Sequence, residues 1–393
     1  MSPDHRAVTF GPPAVALALL IMAACGGWQG RTETPDVLVR ELVEGIVPIR
    51  DGPESTGFGI FGTTPESPDG QQIVYVLFPR LGGEGLPDTV RAELWVCDRD
   101  LRRHRKLTDV TITNHDGANA FWVSDDRIAF QEQSGVFVIS AITGERLLGP
   151  YDGWLGHDAH EGRLLLSGRV AADAPYGLYE LDGLSGNARL LMSLAEVART
   201  IADETEDPLG TPVHLQYSSD GSWISFRGTA GTDPLMVSMR SDGSEVVVFP
   251  RAKPLHQLWY DDDTYMGVWR GPDVPPDHDF QYHRWDIRGR VLEKLAGMIN
   301  HGAASPDRQW YAGEAARYGA APIRLALYRR GSQVPTAVLW EYPEISPVWV
   351  RETHVNPSFS RDGRRLYFWM PVGPDRVRAA YFDLSDYVGA PNR

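Results

Sequence analysis

From about residue 55 onward, short apolar runs alternate with clusters of turn-forming residues. Glu93-Leu-Trp-Val96, Gly177-Leu-Tyr-Glu-Leu181, Glu245-Val-Val-Val-Phe249 and Arg324-Leu-Ala-Leu-Tyr328 are rich in β-branched and aromatic residues and too short for helices. Such runs, bounded by Gly, Pro, Asp and Ser, predict many short strands. No segment reads as a long amphipathic helix. The best candidate, Leu191–Thr205, is expected to be a short excursion between strand groups.

The strands fall into a repeat. His214-Leu-Gln-Tyr-Ser-Ser-Asp220, His256-Gln-Leu-Trp-Tyr-Asp-Asp262 and His301-Gly-Ala-Ala-Ser-Pro-Asp307 share a spacing: Asp follows His by six residues, and an aromatic (Trp223, Tyr265, Trp310) follows by nine. Glu66-Ser-Pro-Asp69-Gly and Pro357-Ser-Phe-Ser-Arg-Asp362-Gly keep the turn; the copies at Asn119–Phe130 and His157–Leu166 are degenerate. Ser-Pro-Asp-Gly is turn chemistry, because Pro fixes φ, Asp bonds its own backbone and Gly accepts positive φ. A third and a fourth strand follow each copy. Four strands per forty to fifty residues is the period of a propeller blade. Copies begin near residues 58, 116, 157, 214, 256, 301 and 354. The expected fold is therefore all-β, a seven-bladed β-propeller of four-stranded antiparallel blades over residues 51–393. The last copy lacks a fourth strand, which Val37–Ile49 is expected to supply, closing the ring with N- and C-terminal strands.

Composition agrees with a β-rich chain: 12 Trp, 15 Tyr and 13 Phe, punctuated by 40 Gly and 29 Pro. The net charge of −14 argues against nucleic acid as a partner. It leaves open a small anionic ligand, which responds to the local field of a cleft. Residues 14–24 form an apolar run of eleven, too short to span a bilayer, ending at Leu20-Ile-Met-Ala-Ala-Cys25-Gly. Small residues before a cysteine, after such a run, resemble a bacterial lipobox. The resemblance implies a signal peptide over residues 1–24 and a lipidated Cys25. A tether and the closing strand then occupy residues 25–50. The chain would be exported and anchored at the periplasmic face of a bacterial membrane or at the cell surface, touching the membrane only through its lipid. Cys97 is then left alone, a small buried hydrophobe in its strand.

Six of the eleven histidines fall at or just before the repeats: His115, His157, His214, His256, His301 and His354. A residue opening a blade's innermost strand sits at the mouth of the central channel. The second strand returns to the same rim, bringing Arg227, Arg270 and Glu314. Imidazole suits divalent transition metals. His354 and Asn356, two apart on a strand, point to one side. With His301 from the preceding blade they form a candidate metal site, with Arg351 or Glu352 behind. The other reading of the same pattern is a structural histidine that bonds a neighbouring blade and was copied with the repeat.

The stretches opening at His256, His301 and His354 resemble successive blades of oligogalacturonate lyases. These are seven-bladed, metal-dependent enzymes that cleave short pectic uronides by β-elimination. The likeness covers most of residues 55–385 and is strongest from His214 onward. It implies His301 and His354 as metal ligands and His256 as the general base that removes the C5 proton. It implies a rim arginine, Arg227 or Arg270, that holds the uronate carboxylate, and a divalent metal, manganese first and otherwise zinc, iron or nickel. His115, His157, His214 and Glu314 are the remaining candidates for binding an anionic oligosaccharide. Asn356 stands where that family has a further histidine ligand, and Arg351 where it has a glutamine. The Ser-Pro-Asp-Gly turns also resemble TolB-type propellers. That resemblance implies the alternative, a non-catalytic periplasmic module that docks a protein or peptide at its channel mouth.

Overall fold

At each well-formed repeat the serine and aspartate build the same turn. Ser218 Oγ donates to Asp220 Oδ1 at 2.8 Å and accepts the N–H of Trp223 at 2.9 Å, while Asp220 Oδ1 accepts the N–H of Ser222 at 2.9 Å. Ser67, Ser305 and Ser360 repeat the pattern with Asp69, Asp307 and Asp362. The residue after the aspartate is left-handed: Gly70, Gly221 and Gly363 have φ of 70°, 70° and 73°. Glycine takes that conformation without steric cost.

The structure is a computed structural model and describes residues 45–60, 62–78, 89–113, 118–201, 211–228, 235–249, 253–270, 281–299, 301–315, 323–342, 355–373 and 376–388. Of the two units into which the chain divides, all of these belong to the larger, residues 39–393. The expected signal peptide, Cys25, His115, Arg351 and His354 lie outside the described residues.

The turns join antiparallel strands into sheets whose members follow one another in sequence. Ser55–Gly57, Gln72–Phe78, Thr89–Asp98 and Arg105–Thr113 make the first sheet. Further four-stranded sheets open with Val213–Tyr217, Lys253–Trp259 and Gly302–Ala304. The last sheet comprises Ser358–Phe359, Arg365–Gly373, Arg376–Asp383 and, from the other end of the chain, Ile46–Pro48. Ile46 pairs with Phe382 and Pro48 with Ala380, so the expected closing strand is present over three residues. The region between differs from expectation. Phe121–Ser124 through Ala188–Ser193 form one seven-stranded sheet. Its middle strand, Arg146–His160, pairs through Arg146–Tyr151 with Gly135–Ser140 and through Asp152–His160 with Arg163–Arg169. No loop separates the two halves of this strand, so the sheet does not break where the repeat does.

The opening strands converge. Residues 157–160, 216–219, 258–259, 303–304 and 359–361, together with 62–64, line one central cavity of about 420 Å³. Sheets arranged radially about a shared channel, each with its first strand innermost, make a β-propeller. Its core is the set of buried faces between sheets, with Trp285, Trp369, Tyr75, Tyr265 and Tyr311 among the largest buried side chains. Gly57 faces Trp369 so closely that a Cβ would come 2.9 Å from its ring. The ends of the ring are tied by Glu66. Its buried carboxylate accepts Tyr367 Oη at 2.7 Å and the N–H of Arg361 at 2.9 Å, and lies 3.1 Å from Arg99 Nε.

Among the described residues of Leu191–Thr205 there is a helix, Leu194–Ile201. Ser193 and Glu196 cap its start reciprocally: Glu196 Oε2 accepts the N–H of Ser193 at 2.7 Å, and Ser193 Oγ accepts that of Glu196 at 3.2 Å. Val197 and Ile201 bury its inner face. Cys97 is buried in the first sheet, and burial pushes its thiol up to about 12.

Candidate functional site

The histidines reach the channel through irregular strands. In Val213–Tyr217 the pairing slips between Val213 and Gln216, and in Lys253–Trp259 between Leu255 and Leu258. His214 and His256 sit in these bulges with φ of 57° and 53°. A bulge re-aims a side chain out of the ladder's alternation. A histidine held at positive φ stores local strain, of the kind found at binding sites. Asn119 and Asn356 take the same conformation, each with φ of 42°. Asparagine tolerates this backbone well, which accounts for its presence where the repeat elsewhere carries histidine.

Four of the histidines form two pairs with different surroundings. In the first, His157 is buried, and its Nδ1 lies 3.1 Å from Asn119 Oδ1. Asn119 Nδ2 donates to the carbonyls of Leu155 and Gly156 at 3.2 and 3.0 Å, which fixes the orientation of the amide. Oδ1 is therefore the acceptor, and His157 Nδ1 carries the proton. Burial pushes the His157 pKa down to about 3, so the ring is neutral and its Nε2 is an acceptor. That nitrogen lies 3.1 Å from His214 Nδ1, which must donate. Asn119, His157 and His214 thus form a directed hydrogen-bond chain across neighbouring strands.

In the second pair the rings of His256 and His301 stack at 4.1 Å between centroids. His301 Nδ1 lies 2.9 Å from Glu314 Oε2, with both residues buried. Glu314 also accepts the N–H of Val355 at 3.3 Å. Glu314 was expected at the rim among substrate-binding groups, and the structure places it behind His301. A carboxylate that holds the Nδ1 proton leaves the Nε2 lone pair for a metal or a proton, the usual outer partner of a ligating histidine. His256, His301 and Asn356 share one crevice with Gly62, Leu258, Gly302 and Pro357. Among the described residues no three His, Cys, Asp or Glu side chains gather as a metal site. The donor set nevertheless fits a divalent ion in kind: an imidazole fixed by a carboxylate, and an amide oxygen on the same crevice.

Arg227 is the penultimate residue of the strand Trp223–Gly228 and pairs with Val213, the residue before His214. It is only 8% exposed, and burial pushes its pKa down to about 10. No carboxylate of the described residues pairs with it. Arg270 ends Thr264–Arg270 opposite Lys253, and its side chain lies outside the described residues.

The sequence reading did not single out Asn119, whose role shows only in three dimensions, or Asp158. Asp158 lines the cavity, and its Oδ1 accepts the N–H of Tyr217 at 3.2 Å. Burial pushes its pKa up to about 7, the backbone hydrogen bond opposing.

Comparison with known proteins supports the fold. No protein-family model matches the chain, and no curated protein matches it. An oligogalacturonate lyase in complex with manganese superposes with a TM-score of 0.58 at 13% identity, over 86% of this chain and 92% of that one. The oligogalacturonate lyase of Vibrio parahaemolyticus gives 0.60 at 12% identity, over 86% and 93%. A putative TolB from Agrobacterium tumefaciens reaches 0.34 at 18% identity, over 64% and 87%, which is too low to support an argument. At these identities the two lyase superpositions establish a shared propeller fold.

Proposed function

We propose that the chain is a lyase-like propeller that acts on uronate oligosaccharides by β-elimination, with a divalent metal at the His301 crevice. The supporting observation is Arg227: a buried guanidinium on the strand that pairs with the His214 strand, with no carboxylate partner among the described residues. A buried unpaired cation is costly. A planar carboxylate from the ligand would satisfy it bidentately. The fold of the lyases and the Glu314-backed His301 support the same reading.

In this reading Arg227 orients the uronate carboxylate. His256 accepts the C5 proton. Glu314 holds the Nδ1 proton of His301 so that Nε2 faces the crevice, where His301, Asn356 and His354 would hold the ion. When bound, the ion supplies Lewis-acid stabilisation of the charge that develops on the carboxylate, with manganese the first expectation. The seven-stranded sheet is read as two blades sharing Arg146–His160, which gives seven blades in all. Lipidation at Cys25 and export to the periplasmic or outer face of a bacterial membrane belong to the same proposal.

The test is the appearance of C4–C5 unsaturated products from oligogalacturonate with the full chain and manganese. Arg227→Lys should lower the rate roughly a hundredfold, and His256→Gln by about 10² to 10⁴. No unsaturated product with a metal-loaded protein would contradict the lyase reading and favour a binding propeller.

A further inference from the structure

In the central cavity that His157 and His160 also line, one repeat breaks its own rule. Arg308 follows Asp307 where Gly70, Gly221 and Gly363 follow the aspartates of other copies, and it holds φ of 59°. A bulky residue there is strained by roughly 1 kcal/mol or more relative to glycine. Its side chain lines the central cavity. There it lies over the Tyr260 ring at 5.4 Å and donates a long 3.4 Å bond to Ser219 Oγ. No carboxylate of the described residues comes within ion-pair distance, and burial pushes its pKa down. Arg361, from the next sheet, lines the same cavity, with Nε on the carbonyl of Ser67 and Nη2 on that of Glu66.

Asp158 faces the same space with the opposite charge. Among the described residues its one hydrogen bond comes from the Tyr217 amide, and no cation pairs with it. Tyr217, whose N–H reaches Asp158, and Ser219, whose hydroxyl accepts from Arg308, are two residues apart at the end of one opening strand and the start of its turn. The cavity thus presents an acid and a guanidinium on one lining, neither in an ion pair among the described residues; Asp261 and Asp262 act on Arg308 only from beyond that distance.

We infer that the channel binds a small zwitterion, an amino acid or short peptide, with its ammonium group at Asp158 and its carboxylate at Arg308 and Arg361. The site adjoins the His301 crevice, with Gly62 and Leu258 lining both, but uses none of His256, His301 or Asn356 and does not rest on the lyase reading. The test is thermal unfolding of the full chain with glycine, β-alanine, 4-aminobutyrate, 6-aminohexanoate and glycylglycine, beside acetate and methylammonium. At a hundred times its Kd, at least one zwitterion should raise Tm by roughly 3 °C, and the single-charge ions should not. Arg308→Gly restores the residue of the other copies, so the ligand-free variant should keep or raise its Tm while losing the shift. Asp158→Asn retains an acceptor for Tyr217 and should also lose it, whereas His256→Gln should retain it. No shift with any zwitterion would overturn the proposal. So would a shift kept in either channel variant, or one matched by acetate or methylammonium alone.

Discussion

The two histidine pairs began as copies of one repeat position and now differ in what surrounds them. His157 and His214 belong to a chain of hydrogen bonds that starts at Asn119 and whose proton directions are fixed. His256 and His301 stack on each other, and His301 has a buried carboxylate, Glu314, at its Nδ1. The difference lies in the partner at Nδ1. Glu314, across the hairpin from His301, gives the imidazole an anionic partner, whereas His157 receives a neutral amide. An amide fixes a neutral ring in place. A carboxylate fixes it and also raises its basicity, which is what a metal ligand needs.

The comparison is broken most forcefully at Glu314. Glu314→Gln should lower metal affinity by about 10- to 100-fold, read by titration with manganese. Asn119→Ala, its counterpart, should leave metal uptake unchanged. It should lower stability by about 1–3 kcal/mol, because His157 Nδ1 loses its acceptor in a buried site; chemical denaturation measures this. Equal effects of both variants on metal uptake would remove the distinction.

The pH dependence of stability sharpens the contrast. His157 is held well below the ordinary histidine value, near 3. Its unfolded form therefore takes up a proton first. The stability it contributes is full above about pH 6.5 and is lost as pH falls towards 3. His157→Gln should flatten that limb of the stability curve. Asp158, raised to about 7, acts in the opposite sense: the stability tied to its protonated form is full below about pH 3.9 and is lost as pH rises through 7. Asp158→Asn should gain stability relative to the parent at pH 8. The smallest expected effect is that of Arg308→Gly, a gain of about 1 kcal/mol from relieved backbone strain, measured by the denaturation midpoint.

Much of the architecture was legible because its causes are local. Ser67, Ser218, Ser305 and Ser360 build their turns with residues within five positions, so the turns and the strands they separate can be read along the chain. The shared strand Arg146–His160 was not legible, since nothing in its sequence says that an outer strand will run on into the next inner one. At the site, the repeat marked the histidines and the hairpin marked Glu314 and Arg227 as neighbours of the rim. It could not show that Glu314 would turn inward to His301, because that depends on the packing of Val355 from another sheet. Asn119 opens a degenerate copy of the repeat, which marks no role for it, and Asp158 carries no motif. Their roles arise from partners 38 and 59 residues away. Arg308 did leave a trace, as an arginine where the repeat has glycine.

The most direct test of the central claim is the metal content of the purified full chain, by inductively coupled plasma mass spectrometry, beside the His301→Ala/His354→Ala double variant. After incubation with excess manganese and removal of unbound ion, the account predicts near one equivalent in the parent and none in the variant. No retained manganese, zinc, iron or nickel in the parent, or an equal amount in both proteins, would contradict it.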